Sequence, residues 1–343
     1  MPKYPSLPNP DGWFAACFSD ELKPGSLMAR KLFDRDVVLF RTESGRAAML
    51  DAHCPHLGAH FGHGGRVEGE GLRCPFHGFK FDPEGACIST PYGTKIPPKC
   101  QAGAWEVREQ NGVVLVWYSH KGEAPYFEVP VYDLEGWMPL VTHMWTLATH
   151  PQETSENSVD LGHFGEVHKY YDLEVLDELH IDGPYLRMHY GMSRDGFGLS
   201  KNSVSRANFR AHVHGLGFSH VVVHEANRNV DLRFWVLCTP THGELCELRV
   251  ACSAKIVDEP KRTHPALGLF PRRVASRLIQ HFAFEEFCGD VAQDFDIWRN
   301  KTYFNKPVLA KGDGPVGAYR RWCRQFYPKL PVVQSAPPVA SAS

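Results

Sequence analysis

Two short segments carry the residue types that bind metal. One reads Cys54-Pro55-His56; the other, after seventeen intervening residues, reads Cys74-Pro75-Phe76-His77. Each offers one soft thiolate and one imidazole. Two cysteines on one iron and two histidines on the other form the ligand set of a Rieske [2Fe–2S] centre. Neutral imidazoles on the second iron remove negative charge and raise the reduction potential above that of an all-cysteine cluster. Zinc also accepts two Cys and two His, but zinc fingers pair like with like, whereas here each half mixes the two. A proline follows each cysteine and fixes φ in a tight loop. Cys54, His56, Cys74 and His77 are therefore the expected cluster ligands.

A second set lies further on, in Asn157-Ser158-Val159-Asp160-Leu161-Gly162-His163-Phe164-Gly165-Glu166-Val167-His168. Two histidines and a carboxylate make the facial triad typical of non-haem Fe(II) oxygenases, which leaves coordination positions open for O₂. His163 and His168 are five apart, which is not the spacing of one helical face. The helix carrying them must break or distort near Gly165. With nineteen histidines in the chain, such a pair is weak by itself and gains its weight from the Cys/His loops upstream. The third ligand should come from a long C-terminal helix, with Asp290, Asp294 and Asp296 as candidates. Asp290 and Asp294 are one turn apart on one face; Asp296 points elsewhere.

These residues need two kinds of scaffold. Residues 12–118 read as short strands punctuated by Gly, Pro and Asp, an all-β module presenting the Cys/His loops. It includes a hairpin with Asn111-Gly112 at its turn. Residues 119–330 read as a helical segment around 157–168, five strands between Tyr185 and Ser253, and a helical pattern from Arg272 to Lys301. Val274, Leu278, Phe282, Phe284, Phe287, Val291 and Phe295 give that helix a wide face expected to be buried. The order implies an α+β fold: an all-β Rieske domain, then an antiparallel sheet gripped by helices. Residues 331–343, rich in Pro, Ala and Ser, read as a disordered tail.

Together these segments resemble the oxygenase component of the Rieske non-haem iron oxygenases over nearly the whole chain. The cluster loops Asp51–His60 and Cys74–Asp82 carry the general resemblance. Gln293-Asp294-Phe295-Asp296-Ile297-Trp298 and Gly312 through Tyr327 narrow it to the branch of 3-ketosteroid 9α-hydroxylases and cholesterol 7-desaturases. One position departs, since Phe79 stands where the family usually has Trp. The membrane anchor of the animal desaturases is also missing, which favours a soluble, bacterial-type enzyme. The resemblance implies a helix-grip (START-like) catalytic domain with His163, His168 and Asp294 on a mononuclear Fe(II). It implies a homotrimer in which one subunit's cluster serves the next subunit's iron. Asp160 would then bridge His163 to a cluster histidine, with Asn157 near the iron.

The 343 residues suffice for two domains, and 43% hydrophobic and 12% aromatic content supports a sizeable core. Lys plus Arg (37) nearly balance Asp plus Glu (39), which argues against nucleic acid or a charged membrane surface as partner. The ten cysteines are not spaced as a disulfide framework; with an iron–sulfur cluster they indicate a reducing, cytoplasmic setting. No apolar run is long enough to span a membrane. No plant-type ferredoxin motif or dinucleotide fingerprint is present. Electrons from NAD(P)H must then arrive through a separate flavin reductase, with or without a ferredoxin. The expected substrate is small and apolar, of the sterol or steroid class, and its fate hydroxylation or desaturation. Rival readings are a smaller aromatic or amine substrate, as in the aminopyrrolnitrin oxygenases, and a Rieske electron carrier fused to a lipid-binding domain without its own iron. Phe209, Phe218, Phe234, Trp235 and Phe284 are candidate pocket aromatics. His212, His214, His220 and His224 read as ordinary sheet residues.

Overall fold

The computed structural model describes residues 7–93, 95–197 and 200–328, so the expected tail, 331–343, lies outside the described residues. The first module holds β1 (Gly12–Phe18), β2 (Leu27–Leu32), β3 (Arg35–Arg41), β4 (Ala47–Asp51), β5 (Arg66–Glu68), β6 (Gly71–Arg73), β7 (Lys80–Phe81), β8 (Cys87–Ser89), β9 (Val107–Gln110) and β10 (Val113–Tyr118). They pair antiparallel in three sheets ordered β1-β10-β9, β2-β3-β4 and β5-β6-β7-β8. The β9–β10 hairpin turns on Asn111 and Gly112, both at positive φ (57° and 76°), as a two-residue turn matched to strand twist requires. Val113 to Trp117 is a continuous apolar run because both of its faces are covered. Val114 and Val116 pack towards Leu39 and Met49, while Val113, Leu115 and Trp117 face the second module.

The second module comprises β11 (Val141–Ala148), α1 (Pro151–Glu156), α2 (Gly162–Glu166), β12 (Tyr171–Asp182), β13 (Tyr185–Phe197), β14 (Ser200–His214), β15 (Phe218–Glu225), β16 (Val230–Pro240), β17 (Leu245–Ala254), α3 (Pro260–Thr263), α4 (Arg272–Gln293), α5 (Phe295–Asn300) and α6 (Val316–Cys323). Its seven strands form one antiparallel sheet, β11-β17-β16-β15-β14-β13-β12. Successive side chains point to opposite faces, and the sequence uses both. Leu232, Phe234, Leu248 and Val250 point inward under α4, against Ala275, Ile279 and Ala283. Phe218, Trp235, Leu237 and Ala251 point outward onto Trp13, Leu115 and Trp117 of the first module. Each of the larger of these side chains (Leu, Val, Ile, Phe), fully buried, contributes roughly 1.5–3 kcal/mol. Arg249, 1% exposed, adds a polar tie across the seam, donating to Glu21 and Glu247.

Three expectations are corrected. The two edge strands, β11 and β12, were not anticipated. The helical pattern from Arg272 to Lys301 is two helices, α4 and α5, broken at Asp294. The predicted apolar face of α4 is buried through Leu278, Phe284, Phe287 and Val291, but its Val274 and Phe282 are 45% and 36% exposed. The neighbouring stripe of Ala275, Ile279 and Ala283 packs on the sheet beside it, and its two alanines allow close approach. Polar groups that hydropathy does not credit fasten that stripe. Ser276 accepts the Val257 N–H at 3.0 Å, and Gln280 donates to the carbonyls of Pro139 and Cys252 at 2.8 Å. Among the described residues no helix is long and apolar enough to cross a membrane.

Candidate metal centres

The two Cys/His loops share one backbone construction. Cys54 N–H donates to Ala59 O at 2.9 Å, and Gly58 N–H returns a bond to Cys54 O at 2.9 Å. Cys74 N–H likewise donates to Phe79 O at 2.8 Å, and Gly78 N–H returns to Cys74 O at 3.2 Å. Gly58 and Gly78 sit at φ of 75° and 67°, where a residue with a Cβ is strained. The loops turn the two cysteines inward, 2% and 4% exposed. Burial first, and then the neighbouring Cys74 thiol, push the Cys54 thiol up to about 12, while a backbone bond from His56 opposes this. His56 and His77 lie on the outer side, with ring centroids 4.7 Å apart. Phe79 stacks on His56 at 4.3 Å and 16°, so the phenyl ring in place of the usual indole still braces that imidazole. The buried His77 Nδ1 has no hydrogen-bond partner. Such an orphan costs about 1–3 kcal/mol unless a ligand uses it, which fits a metal-bound nitrogen. Leu57, Phe76 and Tyr92 stand around this tip, 64%, 63% and 56% exposed.

The second set also converges. Helix α2 ends after Glu166, next to the expected break, and Lys169 at φ 62° turns the chain back. This lets His163, from within the helix, and His168, from beyond it, bring their rings to 5.1 Å at 80°. Asp294 arrives where α4 stops and α5 begins. Ligand atoms of His163, His168 and Asp294 all lie within 4.8 Å of one another. His168 Nε2 is 3.6 Å from Asp294 Oδ2, and Asn157 donates to that same oxygen at 2.8 Å. Burial raises the Asp294 carboxyl to about 6, against the pull of His168 and Asn157. Burial and then His168 lower His163 to about 4, keeping its imidazole neutral, the ligating form. The other two acids are used elsewhere. Asp290 accepts from Arg194 at 2.8 Å and Tyr170 at 3.1 Å, and exposed Asp296 pairs with Arg299.

The orienting contacts were only partly foreseen. His163 Nδ1 bonds the main-chain carbonyl of Asp160. The Asp160 carboxylate stands 3.9 Å from that nitrogen and accepts the His163 backbone N–H at 3.3 Å. It remains about a third exposed (34%), and burial raises its pKa. Gln293 was missed: its Oε1 lies 3.0 Å from His168 Nδ1. The one available signal was its place beside a candidate ligand.

Comparison with known proteins decides the lineage. The 3-ketosteroid 9α-hydroxylase C-terminal domain matches residues 116–327, and the Rieske [2Fe–2S] domain matches residues 12–100. The chain belongs to this family of Rieske oxygenases. It is 30% identical to a cholesterol 7-desaturase of Xenopus laevis, over 93% of this chain and 72% of that one. It is 27% identical to the oxygenase component of a 3-ketosteroid-9-alpha-monooxygenase of Rhodococcus rhodochrous, over 93% and 84%. Among solved structures, Pseudomonas putida NdmA with caffeine shares the fold at 16% identity and TM-score 0.68, covering 91% of this chain and 89% of that one. Dicamba monooxygenase bound to dicamba does so at 20% and 0.65, covering 92% and 96%.

In this oxygenase a cavity opens beside the triad. The chamber at the triad is lined by His163, His168 and Asp294 together with Phe209, Val221 and Phe287. A second chamber shares Phe209, Val221 and Phe287 and continues past Phe234 to Glu225. Ser219 lines the first and Glu225 the second. Six strand residues of about 3.4 Å each put them about 20 Å apart. Of the five candidate aromatics, Phe209 and Phe234 line the cavity. Phe218 and Trp235 face the first module, and Phe284 packs in the core.

Proposed function

We propose that this Rieske oxygenase is a terminal oxygenase that hydroxylates or desaturates an apolar sterol- or steroid-class substrate, using O₂ and electrons from NAD(P)H. The carrying observation is the triad of His163, His168 and Asp294 at one end of a long, mostly apolar cavity. Its length suits an extended, rigid hydrocarbon, and the named relatives act on cholesterol and ketosteroid. These three residues would hold the mononuclear Fe(II), whose chemistry when bound is O₂ activation. Cys54, Cys74, His56 and His77 would hold the cluster that feeds it. The chain's own groups do the rest. Gln293 accepts from His168 Nδ1, which leaves Nε2 free to ligate. The Asp160 carbonyl does the same for His163, and Asn157 anchors Asp294.

The exposed apolar collar of Leu57, Phe76 and Tyr92 beside the cluster loops favours a meeting between copies. In a homotrimer His56 or His77 of one subunit would approach the Asp160 carboxylate of the next. Electrons would come from a separate flavin reductase, with or without a ferredoxin; one relative's name, "oxygenase component", fits that division. The test is a product screen of sterols, 3-ketosteroids and small aromatic amines with a surrogate reductase. Oxidised sterol or steroid supports the reading. Turnover confined to the small amines overturns the substrate class.

A further inference from the structure

Val274 and Phe282, the exposed members of the α4 apolar face, have further exposed apolar residues beside them. Immediately before α4, the turn Pro265–Leu269 is pinned from inside by Leu267, 2% exposed and packed in the core with Ala275. Gly268 rests on the stem of Lys261, which would meet a Cβ there at 3.0 Å. Pinned in this way, the turn displays two large apolar side chains to solvent, Leu269 at 86% and Phe270 at 44% exposure. Val274 and Phe282 continue the apolar surface along the helix, 45% and 36% exposed. Exposed apolar groups gathered in one patch mark an interaction site.

The patch is set among cations. Lys261, Arg273 and Arg277 are exposed, and among the described residues none of them has an ion-pair partner. Nearby Asp258 and Glu259 are taken up by Arg272 and Arg262. Glu285 is the remaining exposed acid on the adjoining turn. A second copy docking this face on itself would set those cations against each other, since a two-fold contact pairs identical patches. An anionic apolar surface has the complementary character. Projecting Leu and Phe enter the acyl boundary while Lys and Arg meet lipid headgroups.

The position adds a reason. Thr263 donates to Arg228 O at 3.0 Å, and Arg228 pairs with Glu225, which lines the second chamber. Ala283 and Glu286, also on that chamber, follow Phe282 on the same helix. The patch therefore adjoins the end of the cavity remote from the triad.

We propose that the turn 265–270 and the first three turns of α4 form a peripheral docking surface for an anionic lipid bilayer. It would hold the end of the cavity remote from the triad close to a reservoir of apolar molecules. The surface attaches the protein without spanning the membrane, and its test does not depend on which substrate is oxidised.

The test is co-sedimentation of the full chain with phosphatidylcholine vesicles and with vesicles containing about one-third phosphatidylserine. Wild type is expected to pellet with the anionic vesicles, and less so in about 1 M salt, where charges are screened within about 3 Å. Each cation near such a surface is worth roughly fivefold in binding. Arg273→Glu with Arg277→Glu should thus weaken binding about tenfold or more. Leu269→Asp, at a side chain already in solvent, should do likewise with an unchanged melting temperature. Failure of wild type to pellet, or equal pelleting of the variants, overturns the proposal. So does a change of oligomeric state in Leu269→Asp, which would make a second copy the occupant.

Discussion

Gln293→Leu separates metal positioning from metal ligation. In the structure Gln293 Oε1 is 3.0 Å from His168 Nδ1. An oxygen there makes Nδ1 the protonated nitrogen and leaves the Nε2 lone pair to the Asp294 side. Leucine keeps the approximate volume and removes the acceptor. Losing an outer partner of a ligating histidine typically costs 10–100-fold in metal affinity. Two local facts decide where in that range this change falls. His168 is only 8% exposed, so its N–H cannot simply turn to bulk water. Gln293 itself is exposed, so one water can take the place of the amide oxygen. The expected loss is therefore at the lower end, about tenfold or about 1.4 kcal/mol. The assay is Fe(II) retention against a graded chelator, with the visible spectrum of the cluster as internal control. A change of less than about twofold, or a parallel loss of the cluster, would refute this reading of Gln293.

Asp160→Asn should retain both metals yet lose most turnover. His163 is oriented by the main-chain carbonyl of residue 160, which the substitution leaves in place, whereas the carboxylate that the proposed trimer would offer to a neighbouring subunit is neutralised. Normal turnover with full coupling of electrons to product would remove Asp160 from the electron path. His220, 1% exposed with neither ring nitrogen hydrogen-bonded, supplies a pH test. Burial, with His212 and Arg233 adding to it, lowers its pKa to about 2 from 6.5. Since the unfolded chain binds the proton and the folded chain does not, stability is unaffected above pH 6.5 and falls as pH drops below it. At pH 5 the cost is about 2 kcal/mol, at about 1.4 per pH unit. His220→Phe, able to keep the stack on Tyr132, should reduce the difference between urea melts at pH 7.5 and pH 5 by that amount; an unchanged difference would show that His220 is not the group responsible.

What was legible in the sequence was local. Cys54, His56, Cys74 and His77 lie on two loops whose prolines and glycines announce their geometry, and the Asn111-Gly112 hairpin followed from its turn residues. His163 and His168 were readable as a pair because five-residue spacing demands a helix end. Asp294 could not be separated from Asp290 by periodicity, since both share a face. The difference lies in where α4 stops, and no Gly or Pro marks that stop. Strand β12 was hidden because it is an edge strand, largely exposed on both faces and irregular in register, so no alternation is imposed on it. On α4 the predicted Leu278, Phe284, Phe287 and Val291 do meet the core, whereas Val274 and Phe282 do not, and Ala275, Ser276 and Gln280, which apolar size does not single out, complete the contact.

The central claim is that one chain carries both a cluster and a separate iron held by His163, His168 and Asp294. Iron and acid-labile sulfide analysis of anaerobically purified protein tests it most directly, alongside Asp294→Ala. The account predicts three irons per chain in the wild type, two of them in the cluster, and two in the variant with the cluster spectrum intact. Two irons in the wild type, or three in Asp294→Ala, would contradict it.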